Sequence, residues 1–356
     1  MLDISFYKNK RVFITGHTGF KGTWLCRILL HAGAEITGFS SGVPTYPSLF
    51  EQIGLEKEMR SINADIRNGE KLTKSLNEAR ADIVFHLAAQ PLVRLSYREP
   101  VMTYETNVMG TVNVLEAVRL TSSVRSCVNV TTDKVYENNE WCWGYRENEK
   151  LCGLDPYSNS KSCSELATYS YRKSFFGGEN VPAVSSARSG NVIGGGDYAD
   201  DRIIPDCVRA VSAGKEIIVR NPCSVRPYQH VLECLSGYLR LAEKQYGNKP
   251  IEGAYNFGPD SEGCVTTEKL VGLFCDAWGD GAKWRAQGGN GPHEANFLKL
   301  DCAMAKTTLG WHAWWDIKTA IHKTTEFAKV GTDIERLACI DKQINEYFGR
   351  KACLNQ

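Results

Sequence analysis

The sequence predicts an α/β protein: a doubly wound parallel sheet with helices on both faces, followed by a smaller mixed α/β C-terminal lobe. Three observations predict it. Apolar runs alternate with helical patterns from Lys10 to Arg188. Those runs are continuously apolar, as strands covered on both faces are. The first run ends in a glycine cluster that leads straight into a helical stretch.

Lys10 to Gly16 (KRVFITG) is the first strand, and the amphipathic stretch Thr23 to Ala32 is its helix. Further strands are expected at Ala34 to Phe39, Arg60 to Asp65, Asp82 to Ala89, Ser126 to Thr132 and Ala183 to Arg188. Helical spacing marks Asn68 to Ala79, Pro100 to Leu120 and Tyr157 to Phe175. After Arg188 the alternation stops. Gly194 to Gly196 and DYADD read as a loop, and short elements then mix: Glu216 to Val219, Val231 to Tyr246, Ala254 to Phe257 and Thr267 to Trp278. The division expected is 1–189 and 190–356, with chain crossing between the two parts left open.

Composition excludes several classes. The 356 residues are 42% hydrophobic and 23% charged, with a formal net charge of +1, ordinary for a globular protein. No Lys/Arg run suits nucleic acid or an anionic membrane. No stretch approaches the ~20 apolar residues of a membrane helix. The polar start, Met1 to Arg11, runs directly into a strand, so no signal peptide is expected. The 13 cysteines are scattered, without C-x-x-C or zinc-type spacing. No disulfide scaffold or metal is expected, and Cys26, Cys127 and Cys207 read as small core residues. Reduced cysteines point to the cytoplasm.

Gly16, Gly19 and Gly22 lie between the first strand and its helix. That arrangement permits a tight turn, close approach of backbone to a pyrophosphate, and free N–H groups at the helix start. It predicts a dinucleotide site in the first part of the chain and leaves the second part for a substrate. An acid usually follows the second strand to hold the ribose. Here the place reads Phe39-Ser40-Ser41, with no Arg nearby for a 2′-phosphate. Ser40 can still bond a ribose, which favours NAD over NADP. Asp65 either reaches the adenine or caps the helix beginning near Asn68.

Tyr157 and Lys161, in DPYSNSK, are four residues apart and share a helical face. A lysine there favours the phenolate and makes Tyr157 a base toward a sugar hydroxyl. Two other pairs share the spacing, Tyr169/Lys173 and Tyr347/Lys351. Only Tyr157 follows a proline at a helix start, just downstream of the strand ending at Thr132. Ligands of open α/β sheets sit at the carboxyl ends of strands. The strand VNVTT itself breaks off into Asp133 and Lys134, charges that are costly there unless paired, solvated or used.

Together, Gly16-x-x-Gly19-x-x-Gly22, Asp65-Ile66, HLAAQ (His86 to Gln90), Asn107, TTDK (Thr131 to Lys134) and Tyr157-x-x-x-Lys161 resemble the extended short-chain dehydrogenase/reductases. Within them the chain is similar to the nucleotide-sugar 4,6-dehydratases. Lys134 in place of a glutamate, followed by EWCWGYRE, resembles the branch acting on CDP-glucose. The resemblance spans Arg11 to about Gly310. It implies a Rossmann-type domain and NAD held by Gly16, Thr18, Gly19, Phe20, Gly22, Ser40, Asp65, Ile66, Leu87, Ala88, Ala89, Gln90, Asn107, Thr131, Tyr157 and Lys161. It implies that Thr132, Asp133, Lys134, Tyr157 and Lys161 are catalytic: Tyr157 as base at the C4 hydroxyl, Asp133 as acid at C6, and Lys134, in the place of the family's glutamate, as base for the C5 proton, the other reading of Lys134 being a salt bridge to Glu137 or Glu147. Asn191, Arg202 and Arg226 would hold the substrate diphosphate. His230 stands where relatives often carry tyrosine. The helices Pro100 to Leu120 and Tyr157 to Phe175 would pair two subunits as a four-helix bundle, giving a homodimer, with a tetramer as the larger alternative. Two other readings stay open: a nucleotide-sugar 4-epimerase or reductase, which needs no acid at Asp133, and a non-catalytic NAD-sensing interaction protein.

Overall fold

The computed structural model describes residues 3–288 and 297–349. Seven strands form the central sheet: β1 (Arg11–Thr15), β2 (Glu35–Ser40), β3 (Arg60–Asn63), β4 (Ile83–His86), β5 (Ser126–Val130), β6 (Ala183–Ser189) and β7 (Ala254–Phe257). Their spatial order is β7-β6-β5-β4-β1-β2-β3, and every neighbouring pair is parallel. The order reverses between β1 and β4, which places the ligand crevice at the carboxyl ends of those strands.

Both faces are buried, which explains the unbroken apolar runs. Val12, Ile14, Ile83, Phe85 and Val128 enter one core, and the alternate residues Phe13, Val84 and Cys127 enter the other. The first core is covered by the helices Phe20–His31, Val231–Gly247 and Asp333–Phe348, the second by Gly69–Ala79 and Gly110–Arg119. A third core fills the lobe beyond residue 190, where Ile193, Ile204, Ile217, Leu270 and Phe274 meet.

The chain crosses back from the lobe to the sheet. Ala254 to Phe257 and Val231 to Tyr246 read from sequence as pieces of the second part. The first is the seventh strand, paired with β6 from Ala254–Ser186 to Phe257–Ser189. The second is buried nearly all round, including Leu232, Leu235, Tyr238, Leu239 and Leu241, because it lies between the sheet and the C-terminal segments. Its buried Glu233 accepts the Trp314 and Trp315 N–H groups, at 3.0 and 2.7 Å, and the Tyr347 hydroxyl at 2.8 Å. Tyr347, one of the spare tyrosines, is therefore structural, and Lys351 lies outside the described residues. Among the described residues, no helix is long and apolar enough to cross a membrane.

His86 is wedged between Thr15 (2.7 Å) and Thr111 (3.1 Å). His230 is fully buried between the rings of Trp24 and Trp315 and caps its helix through Leu232 N–H. It touches no part of the cleft described below. Burial lowers both histidines to about 3 and His17 to about 4. Each stays neutral in the fold but takes up a proton on unfolding once the pH falls below its ordinary value of ~6.5. Stability is therefore expected to fall from about pH 6.5 downward, by up to ~1.4 kcal/mol per pH unit per histidine. Thermal melts between pH 7.5 and 4.5 check this; a melting temperature flat across that window would contradict it.

Candidate active site

A cleft of about 1810 Å³ opens at the carboxyl ends of the strands, between sheet and lobe. That exceeds the ~300–1,000 Å³ of a site for one drug-sized ligand and suits two ligands side by side.

One end is built by the glycine loop. Gly16 has φ +75° and turns the chain out of β1. A Cβ on Gly22 would lie 2.1 Å from the Gly16 carbonyl oxygen, so helix and loop require glycine there for their own packing. A Cβ on Gly19 would meet nothing closer than 3.5 Å, so the protein's own packing does not demand that glycine; it leaves room on the cleft side. Gly19 is also the N-cap of Phe20–His31, with no side-chain cap and no acid in the first turn. Its N–H groups are thus offered to an anion. These features fit a dinucleotide pyrophosphate. Thr18 ties the loop to the Gly42 carbonyl at 2.6 Å, and Thr18, Phe20, Leu87, Ala88, Ala89 and Gln90 all line the cleft.

The ribose end departs from expectation. The Ser40 hydroxyl is not free: it lies 2.9 Å from His17 Nδ1, while His17 Nε2 lies 2.7 Å from Ser61. The His17 ring sits on Gly38, where a Cβ would come within 2.3 Å of it. His17 thus pins the loop to β2 and β3, a role with no sequence signal beyond its place in the motif. Asp65 and Ile66 line the cleft. Asp65 does not cap the next helix, since Asn68 does; it binds Arg67 at 2.7 Å, which lowers its pKa.

Asn107 does not line the cleft. It is buried in a π-helical turn, Glu105–Met109, that interrupts the expected Pro100 to Leu120 helix. There it accepts Gln90 N–H (2.8 Å) and donates to Gln90 O (3.0 Å) and Ser160 Oγ (2.9 Å). It acts as a clamp between the loop after β4 and the Tyr157 helix, not as a ligand.

At the centre, β5 ends and Thr132 caps a single turn, Asp133–Val135. Pro156–Ser174, capped by Asp155, brings Tyr157 and Lys161 beside it. Thr131, Thr132, Lys134, Tyr157 and Lys161 line the cleft. Burial pushes Tyr157 up to about 12, which the Thr132 hydroxyl partly offsets. Lys161 donates to Val130 O at 3.2 Å and is lowered to about 8 by burial, with Lys21 adding to the effect. Lys161 was expected to pull the phenol down; the net shift runs upward, because desolvation is the largest influence on the buried phenol.

Asp133 departs most from expectation. It is completely buried and does not line the cleft. Its Oδ1 accepts the Thr132 hydroxyl (3.0 Å) and the Lys134 ammonium (3.4 Å), and its Oδ2 has no partner among the described residues. The group that enters the cleft is Lys134, whose side chain is 30% exposed. The strand's polar ending is therefore a buried aspartate tethering a lysine that faces the cleft.

Beneath this floor lies an ion pair. Arg188 holds Glu165 through two bonds, 3.0 and 2.9 Å, with both side chains almost fully buried. Burial opposes both charges, yet each holds the other ionised. Glu165 also accepts the Thr131 hydroxyl, and Arg188 donates to the Tyr136 hydroxyl oxygen.

Toward the lobe, Asn191, Arg202 and Arg226 line the cleft. Arg226 is buried with no ion pair among the described residues; it donates to its neighbour's carbonyl, Val225 O. Asn191 Oδ1 is buried without a partner among the described residues. Arg202 is paired with Asp197 at 2.8 Å. Tyr169, the other spare tyrosine, is 55% exposed on the outside of its helix.

A sequence model of the GDP-mannose 4,6 dehydratase family matches residues 13–252. The chain belongs to that family. It is 49% identical to the CDP-glucose 4,6-dehydratase of Salmonella typhimurium, over 98% of this chain and 99% of that one. It is 29% identical to the dTDP-glucose 4,6-dehydratase of Streptomyces antibioticus, over 89% and 91%. Among solved structures, dTDP-glucose 4,6-dehydratase from Streptomyces venezuelae, with NAD bound, shares the fold at TM-score 0.77 and 23% identity, over 89% of this chain and 96% of that one.

In this member of the dehydratase family, one more side chain joins the floor. Lys21, inside the glycine motif, donates to Ser189 Oγ (3.0 Å) and Tyr238 OH (3.4 Å) and lines the cleft. Burial lowers its pKa, and the charges of Asp133 and Lys134 both act on it. A lysine at the start of a helix, where it opposes the helix dipole, was the signal available in sequence.

Proposed function

We propose that the chain is an NAD-dependent hydro-lyase that converts a nucleotide-linked glucose, CDP-D-glucose, to its 4-keto-6-deoxy sugar. The observation that carries this reading is Lys134, tethered by Asp133 and facing the same cleft as Thr132, Tyr157 and Lys161. An epimerase has no need of a second proton-transfer group there. The 49% identity to a CDP-glucose 4,6-dehydratase supports the nucleotide.

Gly16, Gly19, Gly22, Leu87 to Gln90 and Lys161 would hold NAD, which would supply the acceptor for hydride from C4 and the donor of the same hydride to C6, so that no net oxidation occurs. Tyr157 takes the C4 hydroxyl proton, and Thr132 hydrogen-bonds the same hydroxyl. The C4 ketone acidifies the C5 proton, which Lys134 removes as the amine. The C5–C6 double bond forms as the C6–O bond breaks, and Lys134 hands its proton to the departing hydroxyl, releasing water. Asp133, sealed from the cleft, positions Lys134 rather than meeting the sugar itself. A solvent proton is delivered to C5 at the end. Asn191, Arg202 and Arg226 take the diphosphate, for which guanidinium forks are suited.

Subunits pair through the helices of 100–119 and 156–174. Val101, Met109, Leu166 and Tyr169 are exposed there at 71%, 53%, 53% and 55%, an apolar display that supports a partner helix pair. Leu166→Glu is expected to convert the assembly to monomers in sedimentation, with no change if the helices face solvent.

Mass spectrometry of the pure protein with NAD and a panel of nucleotide hexoses tests the function. CDP-glucose is expected to lose one water. An unchanged mass with altered stereochemistry would mean an epimerase, and no change with any sugar would leave an NAD-sensing protein.

A further inference from the structure

Arg94 and Arg220 belong to opposite walls of the cleft. Arg94 is carried by Val93–Arg98, just after β4 of the sheet; Arg220 follows the lobe strand Ile217–Val219. Both line the cleft. Both reach the same atom, Asp201 Oδ1, at 3.4 and 3.3 Å. Asp201 precedes Arg202 and sits at φ +58°, a left-handed conformation that costs a non-glycine residue energy.

A single carboxylate oxygen facing guanidiniums from two walls stands where a non-bridging phosphate oxygen would accept from both. The contacts are weak ones. Charge-assisted bonds run ~2.7–2.9 Å, and these are longer. The three side chains are 35%, 41% and 44% exposed, where ion pairs are worth little. Arg220 donates one N–H to Asp201 and Arg94 only pairs with it by charge; among the described residues neither guanidinium has another ion-pair partner. A diphosphate, with more charge and more acceptor oxygens, would outcompete Asp201 for both.

From this we infer that Arg94 and Arg220 are ligands of the substrate diphosphate, which displaces Asp201 from between them. Binding moves Arg94 from Asp201 to the diphosphate, so the sheet side of the cleft grips a substrate held otherwise by the lobe. The inference rests on the proposed nucleotide-sugar reading and extends it to two arginines and an acid that the dehydration chemistry does not use.

Calorimetric titration with CDP, and with UDP, dTDP, GDP and ADP beside it, tests the pair. For the diphosphate that binds the wild-type protein most tightly, Arg94→Gln is expected to weaken binding about tenfold or more and to flatten its salt dependence. Asp201→Asn is expected to tighten it several-fold, because the competitor is gone. NAD affinity should be unchanged in both variants, which reports that they are folded. If Arg94→Gln binds like wild type, or Asp201→Asn binds more weakly, the pair is only a clasp between walls and the inference fails while the substrate reading stands. If no nucleoside diphosphate binds the wild-type protein, both fail together.

Discussion

Tyr157→Phe is expected to remove turnover by about 10²–10⁴-fold, the usual worth of a general base, while NAD still binds. The phenol lies in the cleft beside Thr132, and burial pushes it up to about 12. At neutral pH it is then a poor base until something in the complex lowers it. Lys161, held to the Val130 carbonyl and itself depressed to about 8, does not do so alone. The account therefore places the activation of Tyr157 in the loaded site, where the cationic nicotinamide adds its charge. Phenylalanine keeps the ring and its packing but has no oxygen to take the proton. Tyr169→Phe, on the exposed outer side of the same helix, is the control and should be neutral for chemistry. Steady-state rates and NAD titrations check both; activity of Tyr157→Phe within tenfold of the parent would remove it from the mechanism.

Lys134→Met is the second large effect. Methionine fills a similar volume but can neither take nor give a proton. It should leave C4 oxidation possible and stop elimination, so the C5 hydrogen should no longer exchange with solvent deuterium. Asp133→Asn should act in the same direction and less completely, since it loosens the tether (3.4 Å to the ammonium) without removing the amine. Nuclear magnetic resonance of the sugar in deuterated buffer reads the exchange directly. Normal exchange and turnover in Lys134→Met would leave Lys134 as a structural charge. If Asp133→Asn lost more than Lys134→Met, Asp133 would have to reach the sugar after all.

Much of the sheet was legible because parallel strands buried on both faces announce themselves as apolar runs, and the glycine loop marks where the first of them turns. The C-terminal helices Ile317–Ala328 and Asp333–Phe348 went unread, although Thr332 and Glu335 form a capping box whose spacing is visible in the sequence. Ala254–Phe257 was found as a strand but not as the seventh of the sheet, because its partner β6 lies far away in sequence and nothing local reports that pairing. The π turn at Glu105–Met109 was hidden for a similar reason: it exists to bring Asn107 to Gln90, a contact made across the fold. Periodicity placed Tyr157 and Lys161 correctly side by side. It could not say that Asp133 would be sealed while Lys134 stays open, since that depends on which way a single turn rolls after the strand ends.

The most direct measurement is the mass and label position of the product formed from CDP-glucose in deuterated water with the wild-type protein and NAD. The account predicts a sugar that has lost one water, carries one deuterium at C5, and has at C6 the hydrogen that began at C4. A product of unchanged mass, or one dehydrated without deuterium at C5, would contradict it.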